Sequence, residues 1–140
     1  MRDNGFVSQR EFPLGEDDTL LSTTDLKGRI TYANDSFIHC SGFGCDELYG
    51  KAHNLVRHPD MPEGAFADMW RTVQQGSPWT ALVKNRRKDG DHYWVEANVT
   101  PIMENGKPVG YLSVRKVPTR EQVRAAEGLY AQIAAERESG

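Results

Sequence analysis

The residues best suited to chemistry gather in one stretch, Arg57-His58-Pro59-Asp60, inside a loop punctuated by Pro59 and Pro62. A guanidinium, an imidazole and a carboxylate so close together can bind an anionic group through charge-assisted hydrogen bonds. Equally, Arg57 can pair with Asp60 and hold the turn. Trp70, Trp79 and Tyr93 offer apolar or stacking walls, although such aromatics in helices and strands are ordinarily core. Asn85 carries a donor and an acceptor on one planar amide. Two cysteines, Cys40 and Cys45, make neither a disulfide framework nor a zinc quartet, even with His39 beside Cys40, and read as reduced packing residues. Lys84, Arg86, Arg87 and Lys88 form a basic run, but strand alternation and the nearby Asp89 and Asp91 favour a solvated hairpin over a nucleic-acid surface. No nucleophile stands beside a recognisable base and no phosphate loop occurs, so an enzyme is not expected.

These side chains need a frame. Leu20–Thr24 and Arg29–Ala33 read as two strands joined by the turn residues Asp25-Leu26-Lys27-Gly28. Asn34-Asp35 can cap a short helix over Ser36–Cys40, which Gly42 and Gly44 break, and Cys45–Leu48 can form another. The stretch from His53 to Pro62 shows no period and reads as loop or a single turn. Ala65, Phe66, Met69, Trp70 and Val73 then recur at helical spacing. Three strands follow, Trp79–Arg87, His92–Met103 and Pro108–Val117, with turns ending in Gly90 and Gly106. Thr119 to Gln122 is a capping box opening an amphipathic helix to about Glu136. The layout is α+β: a five-stranded antiparallel sheet with its helices inserted between strands two and three. A polar arm (1–18) precedes the domain (19–118) and a connector helix (119–140) follows it.

The chain has 140 residues, with 17 basic and 20 acidic side chains and a net charge of −3. That length suits one domain with a real core. Charged residues at 26% and apolar ones at 38% fit a globular chain. The acidic balance argues against nucleic acid as partner. No apolar run approaches membrane-spanning length, and the opening residues lack a signal pattern, so a cytoplasmic segment without membrane contact of its own is expected.

Certain runs resemble a known family. Thr31-Tyr32-Ala33-Asn34-Asp35-Ser36-Phe37, Ser41-Gly42-Phe43 and Glu47-Leu48-Tyr49-Gly50 resemble the opening of a PAS sensor domain, and Arg86–Trp94 with Gly110–Arg115 resemble its last strands. The resemblance covers roughly residues 20 to 118. Leu21–Leu26, His53–Pro62, Ala65–Trp70 and Lys84–Lys88 narrow it to the PAS domain of the aerotaxis receptor family. This implies non-covalent binding of FAD and a redox or oxygen sensor for chemotaxis. Partners would be the HAMP and signalling domain of the same or a partner receptor chain, in a homodimer whose full-length form is anchored to the inner membrane. The resemblance also assigns flavin-site roles to Asn85, Trp79, Trp70, Tyr93, Arg57, His58 and Asp60, with Asn34 and His53.

Gly50–Asp60 also aligns without gaps on the flavin motif of the light-oxygen-voltage photoreceptors, another PAS group. The position of their reactive cysteine is His53, so thiol-adduct photochemistry is not expected. Their phosphate-binding arginines fall at Asn54 and Trp70, their second ring-reading asparagine at Val95, and their last-strand glutamine at Arg115. These replacements imply a flavin pocket rebuilt for FAD rather than FMN. Two other readings stay open: a haem-binding gas sensor using one of His39, His53, His58 or His92, and a cofactor-free interaction or dimerisation module.

Overall fold

The structure, a computed structural model, describes residues 7–139. Positions 1–6 of the expected arm, and Gly140, lie outside the described residues. Strands β1 (Thr19–Thr24) and β2 (Ile30–Ala33) form the first hairpin. Helices α1 (Asp35–Ser41) and α2 (Cys45–Leu48), a 3-10 turn at His53–Val56 and helix α3 (Glu63–Gln74) follow. Strands β3 (Trp79–Arg86), β4 (His92–Glu104) and β5 (Lys107–Lys116) complete the sheet, and α4 (Arg120–Ser139) leaves it. Every pairing is antiparallel, in the spatial order β2-β1-β5-β4-β3, so the first strand lies beside the last at the centre.

Local chemistry sets the boundaries. Asn34 Oδ1 accepts from Phe37 N at 3.0 Å and starts α1. Asn105 and Gly106, with φ of 53° and 77°, make the primed turn that a tight β4–β5 hairpin requires. At α4, Thr119 N donates to Gln122 Oε1 at 2.8 Å and Gln122 N donates to Thr119 Oγ1 at 3.1 Å, completing the capping box.

Strand alternation gives the sheet two faces. Leu20, Ser22, Trp79, Val83, Tyr93, Val95 and Tyr111 are buried on the inner face, under Phe37, Leu48, Val56 and Val73 of the inserted segments. On the outer face, Trp94 packs with Val123 and Ala126 of α4; the Tyr130 ring stacks on it at 6.2 Å while its hydroxyl donates to Leu82 O at 2.7 Å. The described part of the arm lies along the β3–β4 hairpin: His92 N donates to Arg10 O and Phe12 N to His92 O.

The basic run is not the solvated hairpin expected. Lys84 and Arg86 are buried and only Lys88 among the four is exposed. The reason is topological. β3 is an edge strand, and the segment 57–61 runs along it, with Arg57 bridging to Asn85 and Lys84 N donating to Met61 Sδ at 3.3 Å. Arg87 is spent on α1, donating to Cys40 O at 2.7 Å and His39 O at 3.3 Å. Cys40 and Cys45 are free thiols, the first buried and the second exposed. No helix among the described residues is long and apolar enough to cross a membrane.

Gly110 exposes the tightest backbone approach. A Cβ there would sit 2.5 Å from Thr24 O on the paired strand. Gly110→Ala should therefore destabilise the fold by about 1–3 kcal/mol, read as a lower urea midpoint at unchanged slope. An unchanged midpoint would show that β1 and β5 separate freely there.

Candidate functional site

A cavity of about 330 Å³ lies between the inner sheet face and the helices. Phe66, Met69 and Trp70 of α3 form one wall, and Trp79, Val83, Val99 and Tyr111 of the sheet form the other. Trp70 closes against Tyr111 edge-on at 5.4 Å. Its ring also crosses Gly28, where a Cβ would meet it at 3.2 Å; with φ of 84°, glycine suits that turn on both counts. Trp79 Nε1 donates to Asp68 Oδ2 at 3.1 Å, fixing the indole. Asn85, 4% exposed, presents its amide between these walls, with Arg57 on the adjoining segment.

Arg115 enters from β5 and is 2% exposed. Its Nη2 donates to Ser22 Oγ at 2.8 Å and its Nη1 to Ser113 Oγ at 2.9 Å and to His53 Nε2 at 3.1 Å. The guanidinium lies 4.2 Å above the Phe37 ring, and the His53 ring is parallel to that same ring at 5.7 Å. Arg115 makes no ion pair among the described residues, and its Nε is buried without a hydrogen-bond partner. Burial lowers its pKa to about 10, so it remains a cation at neutral pH.

Because guanidinium only donates, His53 Nε2 must accept, which places the imidazole proton on Nδ1. Ser22 Oγ, 3.0 Å from the same Nε2, then donates to His53 while accepting from Arg115. Burial, followed by the repulsion of Arg115, lowers the His53 pKa to about 3, so the ring is neutral.

Of the residues singled out from sequence, Asn85, Trp79, Trp70, Arg57, His53 and Arg115 line the cavity. Four do not. Asn34 is occupied as the cap of α1, its amide also bonded to Leu21 N and Thr19 O. Tyr93 is fully buried core on β4, paired across the ladder with Asn85. Successive residues of an extended segment point to opposite sides, so His58 lies opposite Arg57, buried to 1% with its ring 6.1 Å from His92. Asp60 pairs with Lys84 Nζ at 3.0 Å, and its backbone N donates to His58 Nδ1 at 3.0 Å. Sequence reasoning missed Ser22, Thr24 and Ser113. The signal was available: Ser22 and Thr24 alternate with Leu20 along one strand, putting hydroxyls at core-facing positions. Thr24 Oγ1 is buried with no partner.

The sequence profile of the PAS fold matches residues 30–115, and the chain belongs to the PAS-fold family. It is 52% identical over 139 residues to the aerotaxis receptor of Escherichia coli (strain K12), covering 99% of this chain and 28% of that protein. It is 30% identical over 97 residues to the nitrogen fixation regulatory protein of Klebsiella pneumoniae, covering 69% of this chain and 20% of that one. The chain thus spans less than a third of the length of either relative. Among solved structures, a light-oxygen-voltage domain studied with a flavin analogue matches at a TM-score of 0.69 and 20% identity, covering 87% of this chain and 89% of that one. The dark structure of the blue-light photoreceptor Aureochrome1 LOV matches at 0.67 and 19%, covering 85% and 84%. These structural likenesses bear on the fold.

His53 yields a pH prediction. Unfolding returns it to its ordinary value near 6.5, so between pH 6.5 and 3 the unfolded chain binds more protons than the folded one. Stability is fully present above about pH 6.5 and falls as pH drops toward 3. His58, lowered to about 4 by burial and then by Lys84, acts in the same sense. His53→Gln should flatten the slope of melting temperature between about pH 6.5 and 5, above the carboxylate range. An identical slope in both proteins would show that His53 titrates normally.

Proposed function

We propose that this chain is a redox sensor domain that binds FAD without a covalent link and passes the state of the flavin to a chemotaxis signalling module. The observation that carries the reading is Arg115: a buried cation with an unpartnered Nε, lining an aromatic-walled cavity that contributes no carboxylate of its own. Such a site favours a flat, largely apolar ligand that can become more negative. A bound flavin supplies reversible redox chemistry in which charge and protons on its ring change.

The chain's own groups would do the rest. Trp70, Trp79, Phe66 and Met69 exclude water, which strengthens every electrostatic contact inside. Asn85 offers an amide donor and acceptor to a polar ring edge. Arg115 favours added negative charge. His53, neutral and held by Ser22 and Arg115, keeps that guanidinium in place without a competing anion. Arg57 and Asn85 belong to the edge where the 57–61 segment meets β3, so a changed hydrogen bond at Asn85 bears directly on that segment.

The similarity to the aerotaxis receptor supports an output through the HAMP and signalling domain of the same or a partner chain, in a homodimer anchored to the inner membrane with this domain on the cytoplasmic side. Sensing rather than catalysis is the proposed role, in keeping with the named relatives, a receptor and a regulatory protein. A haem reading is less well supported, because of the four histidines only His53 lines the cavity, and its Nε2 is already engaged.

Asn85→Ala and Trp79→Ala should lower flavin content severalfold while the fold is retained by circular dichroism. Arg115→Gln should make the flavin potential more negative, about 60 mV for each tenfold loss of preference for a one-electron reduced ring, and Arg115→Lys should restore part of it. Unchanged flavin content in both cavity variants, or an unchanged potential in Arg115→Gln, would refute the assigned roles.

A further inference from the structure

The charge lining the cavity is one-sided. Three cations, Lys27, Arg57 and Arg115, contribute to its surface, and no aspartate or glutamate does. Arg115 is committed deep inside, to Ser22, Ser113 and His53. Lys27 and Arg57 stand toward solvent, the first exposed on the β1–β2 turn and the second half-buried. The nearest carboxylate in sequence, Asp25, does not neutralise Lys27. Its Oδ2 is taken by Arg29 Nε at 2.8 Å, and its Oδ1 accepts from the backbone N of Lys27 and Arg29, each at 2.9 Å. That arrangement fixes the turn but leaves the Lys27 ammonium without an ion pair or hydrogen bond among the described residues. The Arg57 guanidinium carbon lies over the Phe66 ring, 4.1 Å from its centroid.

We propose that Lys27, together with Arg57, holds the phosphate-bearing tail of the flavin nucleotide at the rim of the cavity, an assignment that rests on the flavin reading above. The enclosed space, about 330 Å³, is at the small end for ligand sites and suits the ring system rather than a whole dinucleotide. The tail must then leave the chamber past the rim, where Asn54 brings no charge and Lys27 and Arg57 do. A phosphate there meets two cations, a point-charge ammonium and a fork-shaped guanidinium, with no lining carboxylate to repel it.

The test is titration of the 140-residue chain, stripped of cofactor, with riboflavin, FMN and FAD, using the wild type, Lys27→Gln and Lys27→Glu. Riboflavin has the ring but no phosphate, so its affinity should be unchanged by either substitution. Affinity for the phosphorylated flavins should fall a fewfold in Lys27→Gln and about tenfold in Lys27→Glu, with a shallower salt dependence than the wild type. Loss for FMN and FAD alike would place Lys27 at the first phosphate, and loss for FAD alone at the second; either supports the assignment. Unchanged FAD affinity in Lys27→Glu, or an equal loss for all three flavins, overturns it while leaving the flavin reading intact. A wild-type chain that binds none of the three overturns both. Equal melting temperatures of the three proteins would verify that the exposed position does not disturb folding.

Discussion

Taking a guanidinium out of water without a carboxylate to meet it costs several kcal/mol, and the centre of this domain is arranged around doing so. Arg115 is held by hydroxyls, an imidazole nitrogen and an aromatic face, each of which stabilises the charge without cancelling it. The contributors come from distant parts of the chain: Ser22 on β1, Phe37 on α1, His53 on the 3-10 turn and Ser113 on β5. They meet only because β1 and β5 are central neighbours, paired so that Ser22 faces Ser113 and Leu20 faces Arg115. The sheet order and the polarity of the cavity are therefore one constraint. A carboxylate in place of any of these partners would lower the cost of burial and remove the positive field toward the cavity.

The segment 57–61 gives the site its connection to the rest of the molecule. On its cavity side it presents Arg57 and bridges to Asn85. On its other side it places His58 against His92 and Asp60 against Lys84. His92 in turn anchors the described part of the arm through backbone hydrogen bonds to Arg10 and Phe12. Arg120 at the start of α4 pairs with Glu11 of the same arm at 3.0 Å, an exposed contact worth little by itself. The arm, the edge strand and the exit helix thus share neighbours with the segment that borders the cavity.

Much of this fold was legible in the residues. The cap at Asn34, the Asn105-Gly106 turn and the Thr119–Gln122 capping box are local signals with local causes, and the element order follows from them. The basic run was misread because alternation along β3 says which residues oppose each other, not that another segment will cover its edge. For the site, the aromatic walls and Asn85 could be proposed by resemblance, but the split of Arg57 from His58 and Asp60 could not. Adjacent residues look like one cluster in sequence, whereas extended backbone sends them to opposite sides of the strand they cover. Asn34 shows the same limit: its side chain caps a helix, bonds a neighbouring strand and does not line the cavity.

The central claim is that the domain binds a flavin dinucleotide with its ring in the cavity, and the most direct test is the visible absorption spectrum of the purified protein, followed by chromatography of whatever heating releases. A two-band yellow spectrum with FAD in the released fraction is the expected result. A sharp Soret band would contradict it and make the histidines the question. A protein that is colourless, and stays so with added FAD, would contradict it as well and leave a buried cation with some other anion to meet.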